Sequence, residues 1–115
     1  FTLAYAKMPG FRSSTAIPHY FYDLEKEQTT SLLLHPTIMM DTTLIAHLGL
    51  PPQEASDRIK SLIDSCYQSG GDYVSLWHNS NLTGASTKNP WVDVFIETFK
   101  YALALEKKCL TLRQI

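Results

Sequence analysis

Cysteine is scarce in this chain: the 115 residues contain two, Cys66 and Cys109, with neither CxxC nor Cys/His spacing around them. Each lies in an apolar segment, which favours buried free thiols over a disulfide framework or a thiolate metal site. The four histidines, His19, His35, His47 and His78, show no HxxxH or HExxH spacing, so no metal pair is expected within these residues. There is no G-x-S-x-G nucleophile elbow and no glycine-rich phosphate loop. Basic clusters are absent as well. With a formal net charge of −1 the chain has no electrostatic footprint for nucleic acid or for an anionic membrane surface, and neither partner is expected. No apolar run approaches the roughly 18 residues that would read as a membrane-spanning helix. The start, FTLAYAKMPG, lacks an initiator Met and the charged-then-apolar layout of a signal peptide; read as mid-strand, it suggests a piece of a longer chain. Repeats and low-complexity tracts are missing too.

What is present is a single domain's worth of apolar material, 44% of the residues. Residues 1–6 alternate loosely and predict a strand that Pro9-Gly10 breaks; residues 11–15, FRSST, predict a loop carrying Arg12 among small residues. Residues 25–30 predict a charged turn. Within SLLLHPTIMM, Pro36 cannot donate to a ladder, so a strand over 32–35, a bend and a second extended piece over 37–40 are expected. Asp41 follows directly, where the chain turns into a short helix over 42–48, and its bland role is to cap that helix. The clearest helix spans 52–69. Proline suits its first turn, Glu54 favours the positive end of its dipole, and Ala55, Ile59, Leu62, Ile63 and Cys66 form one apolar stripe. Gly70-Gly71 supplies a left-handed stop, and a strand over 72–77 then delivers Trp77-His78-Asn79. A polar loop over 79–89 contains Asn81-Leu82-Thr83, a glycosylation sequon frequent by chance. Residues 91–106 predict a last helix with Trp91, Val94, Phe95, Thr98, Ala102 and Leu105 on one face, and 109–112 a final strand.

Two strand-helix-strand passages argue for an α/β chain with a partial parallel sheet covered by helices. Four to six strands with only two long helices are too few for a closed barrel and fit half of one, or an edge of an open sheet. An open sheet edge would allow self-association. In a parallel sheet ligands bind outside the carboxyl ends of the strands. Asp41 and His78 both fall there, on strands joined by one crossover helix, within reach of each other. A carboxylate bonded to one imidazole nitrogen fixes the tautomer and leaves the other nitrogen for proton transfer. His78 is therefore the candidate acid/base group and Asp41 its partner, set against the plainer reading of a histidine that caps a strand. Trp77 or Trp91 is placed to give a stacking wall or to pack in the core.

The order GFR, FYDL, MMDTTL, LGLPPQEA and GGDYVSLWHNSNL resembles the carboxyl-terminal half of the polysaccharide deacetylase family, in the form found in larger bacterial proteins. The resemblance runs from Tyr5 to about Tyr101 and is strongest at Met40-Asp41 and Leu76-Trp77-His78-Asn79. It implies the second half of a distorted (β/α) barrel, part of a single deacetylase-like domain whose first half is absent. The activity it implies is metal-dependent hydrolysis that removes acetyl groups from N-acetylated sugars. His78 would protonate the departing amine and Asp41 would tune it, with Arg12, Trp77 and Asn79 as the candidate contacts to a carbohydrate substrate. The family's Asp-Asp motif and its His-x-x-x-His metal pair have no counterpart in these residues. A divalent, zinc-like metal is implied for the parent protein and none for this chain, which alone would hydrolyse nothing. The alternative is a non-catalytic carbohydrate- or protein-binding module, or a degenerate deacetylase-like protein.

Overall fold

The computed structural model describes residues 7–11, 13–84, 89–106 and 110–114. Its longest element is the helix α1 (Pro52–Ser69), with the bounds the sequence predicts. Proline in the first turn and Glu54 beside the free N–H groups start it, and Gly70, at φ 71°, ends it with its N–H on the carbonyls of Cys66 and Tyr67. The predicted stripe faces inward: Ala55, Ile59, Ile63 and Cys66 are buried and Leu62 is half-buried. The two glycines after the helix do different work. Gly70 supplies the left-handed turn, whereas a Cβ on Gly71 would stand 2.6 Å from the Ala16 Cβ and 2.8 Å from its carbonyl carbon. That close approach lets the Asp72 N–H reach the Ala16 carbonyl at 2.9 Å.

The helix connects two short strands, β3 (Met39–Met40) and β4 (Ser75–Leu76), paired in parallel with Met39 opposite Ser75 and Met40 opposite Leu76. The Ile38 N–H extends the pairing to the Val74 carbonyl. This is the strand-helix-strand unit expected from the sequence, although the predicted strand over 72–77 narrows to two ladder residues. Helix α2 (Pro90–Glu106) lies against α1, with an ion pair between Lys60 and Glu97 and a 2.6 Å hydrogen bond from the Tyr101 hydroxyl to Asp64. The main core joins Met39, Leu44, Ala55, Ile59, Ile63 and Val94; a second, smaller one joins Ala16, Ile38 and Cys66.

The other two strands depart from the expected parallel sheet. β1 (His19–Asp23) and β2 (Gln28–Leu34) form an antiparallel hairpin with a register shift between Tyr20 and Tyr22. The turn is tighter than the predicted 25–30 segment. Asp23 Oδ1 accepts the N–H groups of Glu25 and Lys26, Glu27 takes φ 48°, and β2 has begun by Gln28. β-branched Thr29 and Thr30 suit the strand, and the Thr30 hydroxyl bonds across to the Phe21 carbonyl at 2.7 Å. The fold is thus mixed α/β, with short sheets and two long helices, and the described residues contain no closed barrel. The predicted final strand over 109–112 is not formed in its described part: Leu112–Gln114 makes a 3-10 turn closed by the Gln114 side chain on the Thr111 N–H. Residues 1–6, Arg12 and Cys109 lie outside the described residues. No described helix is long and apolar enough to cross a membrane.

Candidate functional site

β3 and β4 end side by side, so the residues just after them meet. Asp41, fully buried, presents its carboxylate to four N–H donors of the described residues. Oδ1 accepts from His78 Nδ1 at 2.6 Å and from the Thr42 N–H at 2.7 Å. Oδ2 accepts from the His78 N–H at 2.8 Å and from Asn81 Nδ2 at 2.8 Å. The Thr42 hydroxyl is 3.4 Å from Oδ1 and 3.2 Å from His78 Nδ1, placing it between the two. Burial acts to raise the Asp41 carboxyl, but the hydrogen bonds from the Asn81 side chain, the His78 ring and the backbone N–H groups of His78 and Thr42 outweigh it and hold the pKa below 3.8.

An ionised carboxylate only accepts, so Nδ1 carries the proton in this bond and the neutral ring is the Nδ1–H tautomer. The His78 side chain keeps 46% of its surface exposed while Asp41 keeps none, and among the described residues no hydrogen bond reaches Nε2. The arrangement is therefore a solvent-facing imidazole with its inner nitrogen occupied and its outer nitrogen available to take or give a proton. Asp41 does not cap a helix in the simple sense: the following turn, Thr43–His47, is wound as a π-helix with Thr42 at its cap position, and the Thr42 N–H is the one local donor on the carboxylate among the described residues.

The structure brings Asp41 and His78 together as the sequence led one to expect, and separates the other candidates. Side chains alternate in extended backbone, and His78 is extended (φ −86°, ψ 132°), so Trp77 and Asn79 leave on the opposite side from His78. They line a groove of about 800 Å³ between β4, α1 and α2, together with Tyr73, Phe95, Phe99 and Leu110; Asp41 and His78 do not line it. Trp77 is half-buried there and meets Phe95 edge-to-face, with ring centroids 5.3 Å apart. Asn79 is exposed and opens the 3-10 turn Asn79–Asn81, its carbonyl accepting the Leu82 N–H. Arg12 lies outside the described residues.

Two contributors were not singled out in the sequence, Thr42 and Asn81. Asn81 stood out only as the first residue of the sequon, and the nitrogen that a glycan would modify is the one that donates to Asp41. A threonine directly after a strand-end aspartate, and an asparagine three residues after the histidine, are the available signals, and neither has a period or a motif to raise it above its neighbours.

Among the described residues no group of three or more His, Cys, Asp or Glu side chains is placed to hold a metal ion. Asp41 is a poor ligand besides, because each oxygen already accepts two N–H groups and the carboxylate is sealed from solvent. The residues of this site do not fit the metal that the deacetylase resemblance implies. Comparison with known protein families, with curated proteins and with solved structures finds no match to the chain.

Proposed function

We propose that His78 is a general acid/base group oriented by Asp41, in a chain that forms the proton-transfer half of a deacetylase-type carbohydrate hydrolase. The observation that carries the reading is the 2.6 Å bond from a half-exposed imidazole to a fully buried carboxylate at the carboxyl ends of two parallel strands. The β3–α1–β4 unit is compatible with the second half of a distorted (β/α) barrel, and the sequence pattern around Met40-Asp41 and Trp77-His78 resembles that family's motifs.

In hydrolysis of an N-acetyl group, water adds to the amide carbonyl, the C–N bond breaks, and acetate and a free amine leave. The departing nitrogen needs a proton, and protonated His78 would give it from Nε2 while Asp41 keeps its hold on Nδ1. The base for the attacking water and the metal would come from residues outside this chain, whose own activity on acetylated sugars is expected to be nil.

The test is an assay of the full-length parent protein on N-acetylated chito-oligosaccharides with zinc or cobalt, for wild type and His78→Ala. Deacetylation that falls at least about 100-fold in the variant supports the role. Equal activity in the variant overturns it, and a folded parent that binds the oligosaccharide without releasing acetate favours the non-catalytic module.

A further inference from the structure

The Asp41 carboxylate is gripped at both oxygens, and the grip on Oδ2 comes from outside the strand-to-strand contact. The 3-10 turn Asn79–Asn81 folds back directly after His78, closed by the Asn81 N–H on the His78 carbonyl at 3.0 Å, and returns the Asn81 amide to the carboxylate. The Asn81 backbone is anchored in turn. The Asn81 carbonyl accepts Asn89 Nδ2 at 2.9 Å, the same nitrogen donates to the Thr83 carbonyl at 2.9 Å, and Asn89 Oδ1 accepts the Trp91 N–H at 3.1 Å at the start of α2. A run of hydrogen bonds therefore ties the buried carboxylate to the amino-terminal end of the last helix.

We infer that Asn81 is a positioning residue: by holding Oδ2 it fixes the rotation of the Asp41 carboxylate, so that Oδ1 meets Nδ1 and His78 is kept as the Nδ1–H tautomer with Nε2 facing outward. The inference rests on reading His78 as the proton-transfer group, and it adds the device that sets which nitrogen does the transfer. Neutral imidazole left to itself favours the Nε2–H form, which would turn the Nδ1 lone pair on the ionised Asp41 carboxylate and leave Nε2 unable to take up the proton it later gives to the amine. Two features point to Asn81. The backbone N–H groups of Thr42 and His78 hold one oxygen each and come with the strand ends, whereas the Asn81 amide is a side-chain donor that completes the hold on Oδ2. Among the described residues, Asn81 is the one side chain apart from the imidazole itself that donates an N–H to the carboxylate, and its own backbone is held in place by Asn89. Thr42 is a weaker candidate, since its hydroxyl stands 3.4 Å from Oδ1.

The experiment uses the full-length protein with 15N-labelled histidine and reads the ring nitrogens by long-range proton–nitrogen correlation above the pH at which the ring titrates, with His78 assigned by loss of its signals in His78→Gln. Wild type is expected to show protonated Nδ1 and unprotonated Nε2. In Asn81→Ala the ratio of Nδ1–H to Nε2–H should fall on the order of tenfold, the scale of one lost hydrogen bond to a charged group. Ser80→Ala, in the same turn with an exposed side chain, should leave it unchanged. If Asn81→Ala does not fold, Asn81→Ser, whose hydroxyl is too short to reach Oδ2, gives the same reading. A folded variant that keeps the wild-type ratio overturns the inference whatever its activity. A shifted ratio in a protein whose deacetylation is unaffected upholds the inference and instead counts against the hydrolase role of His78.

Discussion

Replacing Asp41 by asparagine exchanges one oxygen for an NH2 group and tests the whole site. Each carboxylate oxygen takes two donors, one of them a backbone N–H: Thr42 on Oδ1 and His78 on Oδ2. An amide can keep its oxygen on only one side, so whichever way it turns, its NH2 group faces a backbone N–H that cannot move away. The imidazole could adapt by changing tautomer, but the backbone donor has no such option. Two hydrogen bonds to a charged group are lost at roughly 1.5–3 kcal/mol each, and relief from burying a charge offsets part of this. The expected net loss for Asp41→Asn is about 2–4 kcal/mol at pH 7, lowering the urea midpoint by roughly 1–2 M at slopes usual for a small domain. Asp41→Ala, which orphans all four donors, should cost more, on the order of 3–5 kcal/mol.

The pH dependence carries a sign as well. The folded pKa of Asp41 lies below 3.8, so its stabilisation is complete above the unfolded carboxylate value and drains away as pH falls through 3.8 and then through the lower folded value. The wild-type and Asp41→Asn stability curves should be separated at pH 7 and approach each other in acid. Urea unfolding followed by far-UV circular dichroism across pH 3 to 8, with Asp57→Asn as an exposed-carboxylate control, reads both quantities. A variant within about 0.5 kcal/mol of wild type at pH 7, or curves that stay parallel into acid, would refute the reasoning.

Three further outcomes are expected. Gly71→Ala, whose new methyl group would collide with Ala16 side chain and backbone at 2.6–2.9 Å, should cost about 1–3 kcal/mol, more than the ~1 kcal/mol for Gly70→Ala, where space is open and only the left-handed φ is unfavourable; melting temperatures in the reverse order would rule out the close approach. Cys66, buried, has its thiol pushed up to about 11 by burial and then by the charge on Asp72, so iodoacetamide at pH 8 should label it slowly in the native protein and rapidly in urea; peptide mapping that shows equal rates would contradict its burial. The hairpin leaves Tyr20, Tyr22, Leu24 and Leu32 exposed, Leu24 at 82%, and concentration-dependent self-association in sedimentation velocity is expected to weaken in Leu24→Lys/Leu32→Lys; a wild-type protein that is monomeric at every concentration sinks that expectation.

How far the sequence carries depends on the range of the interaction that decides each feature. Helix α1 was readable to both ends because its start and stop are local chemistry: proline fixes φ at the first turn, and glycine takes the left-handed conformation after Ser69. The Asp41–His78 pair was readable through topology, since two strands joined by one helix place their carboxyl ends together and only one acidic residue and one histidine stand there. The hairpin was not legible: the sequence predicts a charged turn over 25–30 and a strand only from residue 32, where β2 begins at Gln28 and pairs with a strand over His19–Asp23. Glu25 to Thr30 look like a charged loop, but an Asp23 side chain tightens the turn to a few residues, and the Thr30 hydroxyl reaches a strand nine residues earlier.

The donors around Asp41 mark where reading residues one at a time stops. Asn79, adjacent to His78, was expected to contact a carbohydrate substrate beside it, yet it lines the groove with Trp77 on the far side of His78, and the 3-10 turn brings Asn81 back to the carboxylate instead. Gly70 and Gly71 repeat the lesson: as a pair they mark a helix stop, but only the second is required small by a contact with Ala16, 55 positions earlier in the chain. In both cases the residue is chosen by a tertiary neighbour rather than by its own segment. A buried carboxylate makes that dependence strict, because it must find N–H donors for both oxygens or shed its charge. Given Asp41 at the end of a buried strand, the sequence thus carries a demand for donors near the two strand ends, and the packing of those ends decides which of the short polar residues there, Thr42, Thr43, Asn79, Ser80 and Asn81, meet it.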